Sequence, residues 1–275
     1  MSKAHTSATT GDTVILQSSA TVYTFPNLTI SKNLIWQAAN IGDAIVDGTA
    51  GAASWTMGVY SVTCENLIFQ NVTTSALAMF YTAVTASKSI LFKNCKFKNI
   101  ILNVSNNNAA IITNLAPSTQ VTMDTDLIAC SFENINTPYS AIDSQIVTNT
   151  NNSSPNGSSV DLRMVDCSII IPSATYQIKN VVQLIYPASG DVLTMENVVI
   201  DNLSGATVKF AQYYGASAAT YQTIANSCFN NITSPPTAFT NGVKNITTAP
   251  AYADVASGDY RTTPSSVTSF TGRLI

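Results

Sequence analysis

The 275-residue chain sets 12 Lys and Arg against 15 Asp and Glu, a formal net charge of -3, with only 10% charged residues and 45% hydrophobic ones. Positive charge this sparse supplies no basic stripe to neutralise phosphates, which excludes a nucleic-acid partner. The longest apolar runs, such as residues 181–186, fall far short of the roughly 18 to 20 residues that cross a bilayer, so no membrane insertion is expected.

The chain opens on MSKAHTSATTGD, which has no apolar signal-peptide core. Either a leader was removed, or the protein reaches its site without one. Its single histidine, His5, lies here, and the five cysteines at 64, 95, 130, 167 and 228 form no CxxC pair and no Cys/His ligand spacing. No zinc site, other metal or cofactor is expected.

From residue 65 an octapeptide recurs: ENLIFQNV (65–72), KNCKFKNI (93–100), IACSFENI (128–135), VDCSIIIP (165–172), ENVVIDNL (196–203) and ANSCFNNI (225–232). The central residues are Phe69, Phe97, Phe132, Ile169, Ile200 and Phe229, spaced by 28, 35, 37, 31 and 29 residues. A period of this size signals a repeat architecture. Within each copy apolar positions alternate and the residue types are β-branched or aromatic, so the copies are strands, and a helical solenoid is excluded. A short strand that returns every 30 or so residues cannot bury its inner face alone and stacks on its neighbours as a solenoid of parallel strands. The polar run NTNNSSPNGSS (149–159) reads as an outer loop that lengthens one turn without disturbing the stack.

Two places before the central residue stand Leu67, Cys95, Cys130, Cys167 and Val198, an inward file in which cysteine acts as a small apolar residue. Neighbouring coils sit about 4.8 Å apart, whereas a disulfide wants Cβ atoms about 3.8 Å apart, so these thiols are expected to stay reduced. Two asparagine columns flank the strand: Asn66, Asn94, Asn197 and Asn226 at one bend, and Asn71, Asn99, Asn134, Asn202 and Asn231 at the next. Asparagine tolerates left-handed backbone, and its amide bonds the coil above and below. The sequons that begin at Asn71 and Asn231 follow from this ladder composition.

These repeats resemble the right-handed parallel β-helix superfamily, the pectate-lyase-like fold also seen in adhesin-like surface proteins and phage tailspikes. The resemblance covers nearly the whole chain. TTGDTVILQSSATVYTFPNLTISKNLIWQAANIGDAIVDG is similar to the first coils of such proteins, and APAYADVASGDYRTTPSSV to their closing segment. It implies one all-β domain over 1–275, a single-stranded right-handed parallel β-helix of roughly seven to nine coils. Residues 1–50 are expected as N-terminal cap coils, 51–247 as central coils and 248–275 as a closing segment.

Polysaccharide-cleaving members of that superfamily use either paired carboxylates or Asp-bound calcium with a Lys or Arg base. The Gly-His-Gly and Arg-Ile-Lys of polygalacturonase-like hydrolases are absent from this sequence. Counting back from Phe132 and Ile169 puts Asp126 level with Arg163 and Asp124 level with Asp161, so these four share one outer patch on adjacent coils. The patch reads as a surface ion pair of about 0 to 1 kcal/mol, or as a lyase site, in which case calcium is implied. Lys98 and Glu133, also level, read as a cross-coil pair. Tyr213, Tyr214, Tyr221, Tyr139, Tyr186, Trp36 and Trp55 are either rings for sugars or partners, or ordinary packing.

Three functions follow. The first is a non-catalytic structural or attachment protein of a virion (capsid decoration, fibre or spike domain), expected as a homotrimer that meets other virion or surface proteins and cell-surface glycan. The second is a microbial adhesin or carbohydrate-binding module, extracellular or on the cell surface. The third is a polysaccharide lyase or hydrolase that uses Asp124, Asp126, Asp161 and Arg163.

Overall fold

The computed structural model describes residues 1–18, 22–49, 53–83, 86–116, 121–139, 144–151, 159–172, 178–185, 192–214, 222–225, 227–233, 244–245, 252–254 and 259–262. Nearly all of its regular structure is strand, and all but two strands fall into three parallel sheets of eight, ten and seven; Tyr252–Asp254 and Asp259–Thr262 form a separate antiparallel pair. The first sheet runs from Thr13–Leu16 through Leu34–Ala38, Val62–Glu65, Lys88–Lys93, Thr122–Ile128, Ser159–Val165 and Leu193–Glu196 to Gln222–Ala225. Each octapeptide then enters the second sheet, as in Leu67–Gln70, Lys96–Leu102 and Ser131–Asn136, and the chain crosses to the third before returning one coil further on. Within these three sheets each inner strand pairs with its equivalent from the preceding and following coil, which is the winding of a parallel β-helix.

Five consecutive turns, from Val62–Glu65 to Lys209–Tyr214, have strands of at least four residues on all three sheets. The turns on either side are abbreviated; the third-sheet strand of the preceding turn, Trp55–Met57, has three residues. Among the described residues the roughly seven to nine coils expected become about five full turns, flanked by turns with shorter strands.

The six central side chains do stand in single file. Phe69 pairs with Phe97, Phe97 with Phe132, Phe132 with Ile169, Ile169 with Ile200, and Ile200 with Phe229. All six are buried, and the rings stack nearly parallel where they meet: Phe69 on Phe97 at 5.3 Å and 13°, Phe97 on Phe132 at 4.7 Å and 3°. Phe80 and Phe92 from the other two sheets close on this file edge-on, Phe80 to Phe69 at 5.4 Å and Phe92 to Phe97 at 5.4 Å. Trp36 and Trp55 are wholly buried in the same core, 5.5 Å apart. Of the two readings open to them, ordinary packing is the one that holds, since no part of either ring reaches the surface.

The bends explain the asparagines. Between the first and second sheets Asn66, Asn94, Ala129, Asp166 and Asn197 all take left-handed backbone, with φ from 52 to 62°. After the second sheet Asn71, Asn99, Asn134 and Asn231 do the same, with φ from 51 to 54°. A short polar side chain offsets the steric cost of that conformation by local hydrogen bonding. The amides then run from coil to coil: Asn94 Nδ2 donates to Asn66 Oδ1 at 3.0 Å, Asn99 to Asn71 at 3.2 Å, and Asn134 to Asn99 at 2.8 Å. Asn202 is the exception: its φ is not positive, and its amide donates to the Ala206 and Asn231 carbonyls. Asn226 lies outside the described residues.

Cys64, Cys95, Cys130 and Cys167 are buried free thiols. Cys95 Sγ lies 3.3 Å from the Cys64 carbonyl, and Cys130 Sγ lies 3.4 Å from that of Phe92. Burial, with neighbouring cysteines beside them, pushes Cys64 and Cys130 well above the ordinary thiol pKa. These side chains are packing material and not nucleophiles.

Candidate functional site

Strand alternation places residues 124, 126, 161 and 163 on the outer side of the first sheet, while Met123, Thr125, Leu127, Leu162 and Met164 are buried. Asp124 is paired with Asp161 and Asp126 with Arg163 across adjacent coils, as the repeat count requires. Arg163 Nη1 lies 3.9 Å from Asp126 Oδ1, with the two side chains 51% and 35% exposed. An ion pair this long and this wet contributes about 0 to 1 kcal/mol. Asp161 is fixed from its other side, where its Oδ1 accepts the Val192 backbone N–H at 3.0 Å.

These four residues line an open groove of about 370 Å³ together with Ser89, Val192 and Thr194. Ser89 stands level with Asp124, and Thr194 with Arg163, so the groove crosses four successive coils. Both were readable by the same count as the charged residues, but nothing in an isolated Ser or Thr marks it. Asp124 is the perturbed group. Partial burial first, then the Asp161 and Asp126 carboxylates, raise its pKa above the ordinary aspartate value. The groove thus sets three carboxylates against one guanidinium. It is rich in acceptors, and it favours a ligand that brings donors or positive charge. Among the described residues no group of three or more His, Cys, Asp or Glu side chains is arranged to hold a metal ion.

Away from the groove, Lys98 is level with Glu133 as expected, but the ion pair to Glu133 comes from Lys96, at 2.7 Å. Lys96 and Lys98 share the outer face of one strand, and the diagonal neighbour is within reach of a lysine stem. Tyr139 is 36% exposed. Tyr213 and Tyr214 end the Lys209–Tyr214 strand of the third sheet, level with Leu184 and Ile185; their side chains, and Tyr186 and Tyr221 altogether, lie outside the described residues.

Three parallel sheets wound from consecutive strands, with a bend-forming residue at each corner, decide the fold. It is a parallel β-helix. No protein-family model matches the chain, and no curated protein does. Among solved structures the β-helix is similar to a mutant of AlyGC, an alginate lyase of family PL6, with 9% sequence identity over 85% of this chain and a TM-score of 0.33. This chain spans 38% of that protein.

Proposed function

We propose that this β-helix is a non-catalytic attachment or structural component of a virion, a capsid decoration, fibre or spike domain. It works as a homotrimer and meets a cell-surface glycan through the groove on its first sheet. The charge of that groove carries the reading. Asp124, Asp126 and Asp161 outnumber Arg163, and Arg163 already leans on Asp126. A surface of this sign suits the hydroxyl and amide donors of neutral sugars, and it repels the polyuronate chains that a β-eliminating enzyme would have to bind. A microbial surface adhesin would use the same groove and differ in what carries the rod.

One observation favours a polysaccharide lyase as a second reading, namely the Asp124 carboxyl held above its ordinary pKa by burial and by the Asp161 and Asp126 carboxylates, in a groove that also holds Arg163. That chemistry would require calcium to reverse the sign of the groove before a uronate could enter. Glycan-array binding and mass photometry test the proposal together. Binding to neutral glycans, weakened about tenfold or more by Arg163→Ala and by Asp124→Ala, and a particle of three chains are expected. Calcium-dependent release of unsaturated uronides, abolished in Asp126→Ala, would overturn it in favour of the lyase.

A further inference from the structure

The first turn of the rod is covered by the Ser2–Ser7 helix, whose Ala4, with Met1 and Ala8 flanking it, packs on the apolar core. Two side-chain contacts tie this helix to the turn at residues 31–32. His5 is 7% exposed, and its Nε2 accepts the Ser31 backbone N–H at 3.3 Å. The Lys32 ammonium donates to the carbonyls of His5 at 2.9 Å, Thr6 at 3.0 Å and Ala8 at 2.5 Å, three of the acceptors that the end of a helix leaves over.

We propose that the helix is an acid-released cap whose latch is His5. An imidazole whose Nε2 accepts a hydrogen bond is neutral and carries its proton on Nδ1. Protonation puts a second N–H on Nε2, so that donor faces donor at Ser31 and the contact is lost. The same step places a cation beside the Lys32 ammonium that holds the other end of the latch. Burial first and Lys32 second already lower the pKa of His5 below 6.5. The charged group that acts on it is Lys32, which acts in turn on the Asp12 carboxylate. Asp12 accepts the Thr9 N–H at 2.7 Å, which lowers its own pKa, so it stays ionised while His5 titrates. The sign follows from linkage: with the cap open, His5 returns to its ordinary pKa and binds its proton more readily, so closure weakens as pH falls through 6.5 toward the lowered value. Release bares the core residues beneath the helix while the coils behind them keep their ladders.

Because the chain has a single histidine, its ring resonances report the titration without assignment by mutation. Hydrogen exchange, corrected for the intrinsic rate, then reads the latch at the Ser31 amide and across residues 2–8. Protection is expected to fall about tenfold or more between about pH 8 and about pH 5. His5→Gln keeps an acceptor that does not titrate, and should hold its protection across that range, whereas His5→Lys should be open throughout. Ser31 protection that stays level in the unmutated chain overturns the proposal, as does His5→Gln losing protection in acid as steeply as the unmutated chain. The unmutated titration decides the matter even if a variant fails to fold.

Discussion

Ala129 occupies a left-handed bend position, φ 52°, that its neighbours in the column fill with Asn66, Asn94, Asp166 and Asn197. Its methyl group has the steric cost of that backbone and none of the amide bonding, so the column is broken between Asn94 and Asp166. Ala129→Asn relieves a local cost of about 1 kcal/mol and lets the new amide donate to Asn94 Oδ1. Asp166→Asn added to it supplies the donor that the new carbonyl needs. The urea midpoint should rise in the single variant and rise further in the double one. Asp47 heads the other column, where it accepts the Thr49 N–H at 2.8 Å, Gln70 Nε2 at 3.0 Å and Asn71 Nδ2 at 2.8 Å. Burial alone would raise its pKa, but the three donors outweigh it and the net shift is downward. A depressed carboxylate contributes stability that is present above its unfolded value and lost as pH falls through the folded one. Thermal stability should therefore drop below the ordinary aspartate range, and the difference between the unmutated chain and Asp47→Ala should vanish there. At this scale the sequence was largely legible, since spacing alone identified the columns and the file of rings. Ala129 and Asp166 are not legible as members of the asparagine columns, because what the column shares is a backbone angle and not an amide. Register alone points to Lys98 as the partner of Glu133, but a four-carbon stem reaches diagonally and Lys96 makes the pair.

Among the elements, the second-sheet strands carry the largest packing term. Phe97 touches Phe69, Phe80, Phe92 and Phe132, so Phe97→Ala opens a cavity that no single neighbour can fill. A loss of about 3 to 5 kcal/mol is expected, read as a shift of the denaturation midpoint. The third-sheet strands work differently. Thr82 Oγ1 donates to Asn114 Oδ1, Asn114 Nδ2 donates to Thr125 Oγ1 at 2.8 Å, and Gln145 Nε2 bridges to Thr148 Oγ1 and Gln183 Oε1. These polar side chains are buried. That is why this sheet left no mark in the octapeptide pattern: alternation reveals a strand only when its polar side is wet. Lys88 shares the inward side of its strand with Ile90 and Phe92, a place where residue type alone does not put a lysine; its ammonium is buried against the Met57 and Gly58 carbonyls and its pKa is lowered to about 8 by that burial. The N-terminal helix, too short for any hydrophobic period, went unseen.

For the molecule as a whole, the register that predicts the fold also predicts the patch of outer charge that lines the groove. Asp124, Asp126, Asp161 and Arg163 came together because a solenoid converts a sequence offset of one repeat into a lateral step of one strand. What the groove binds was not legible, since hydroxyl and carboxylate side chains on an outer sheet serve a ligand and a cross-coil tie equally well. The sign of the charge they sum to becomes meaningful only once the residues are known to share one surface.

Because each coil meets only the one before and the one after, the rod has no intrinsic size. An in-frame duplication of one full turn would find its rings, amides and backbone donors matched on both sides. Reach could then be tuned in increments of about 4.8 Å without redesigning either tip.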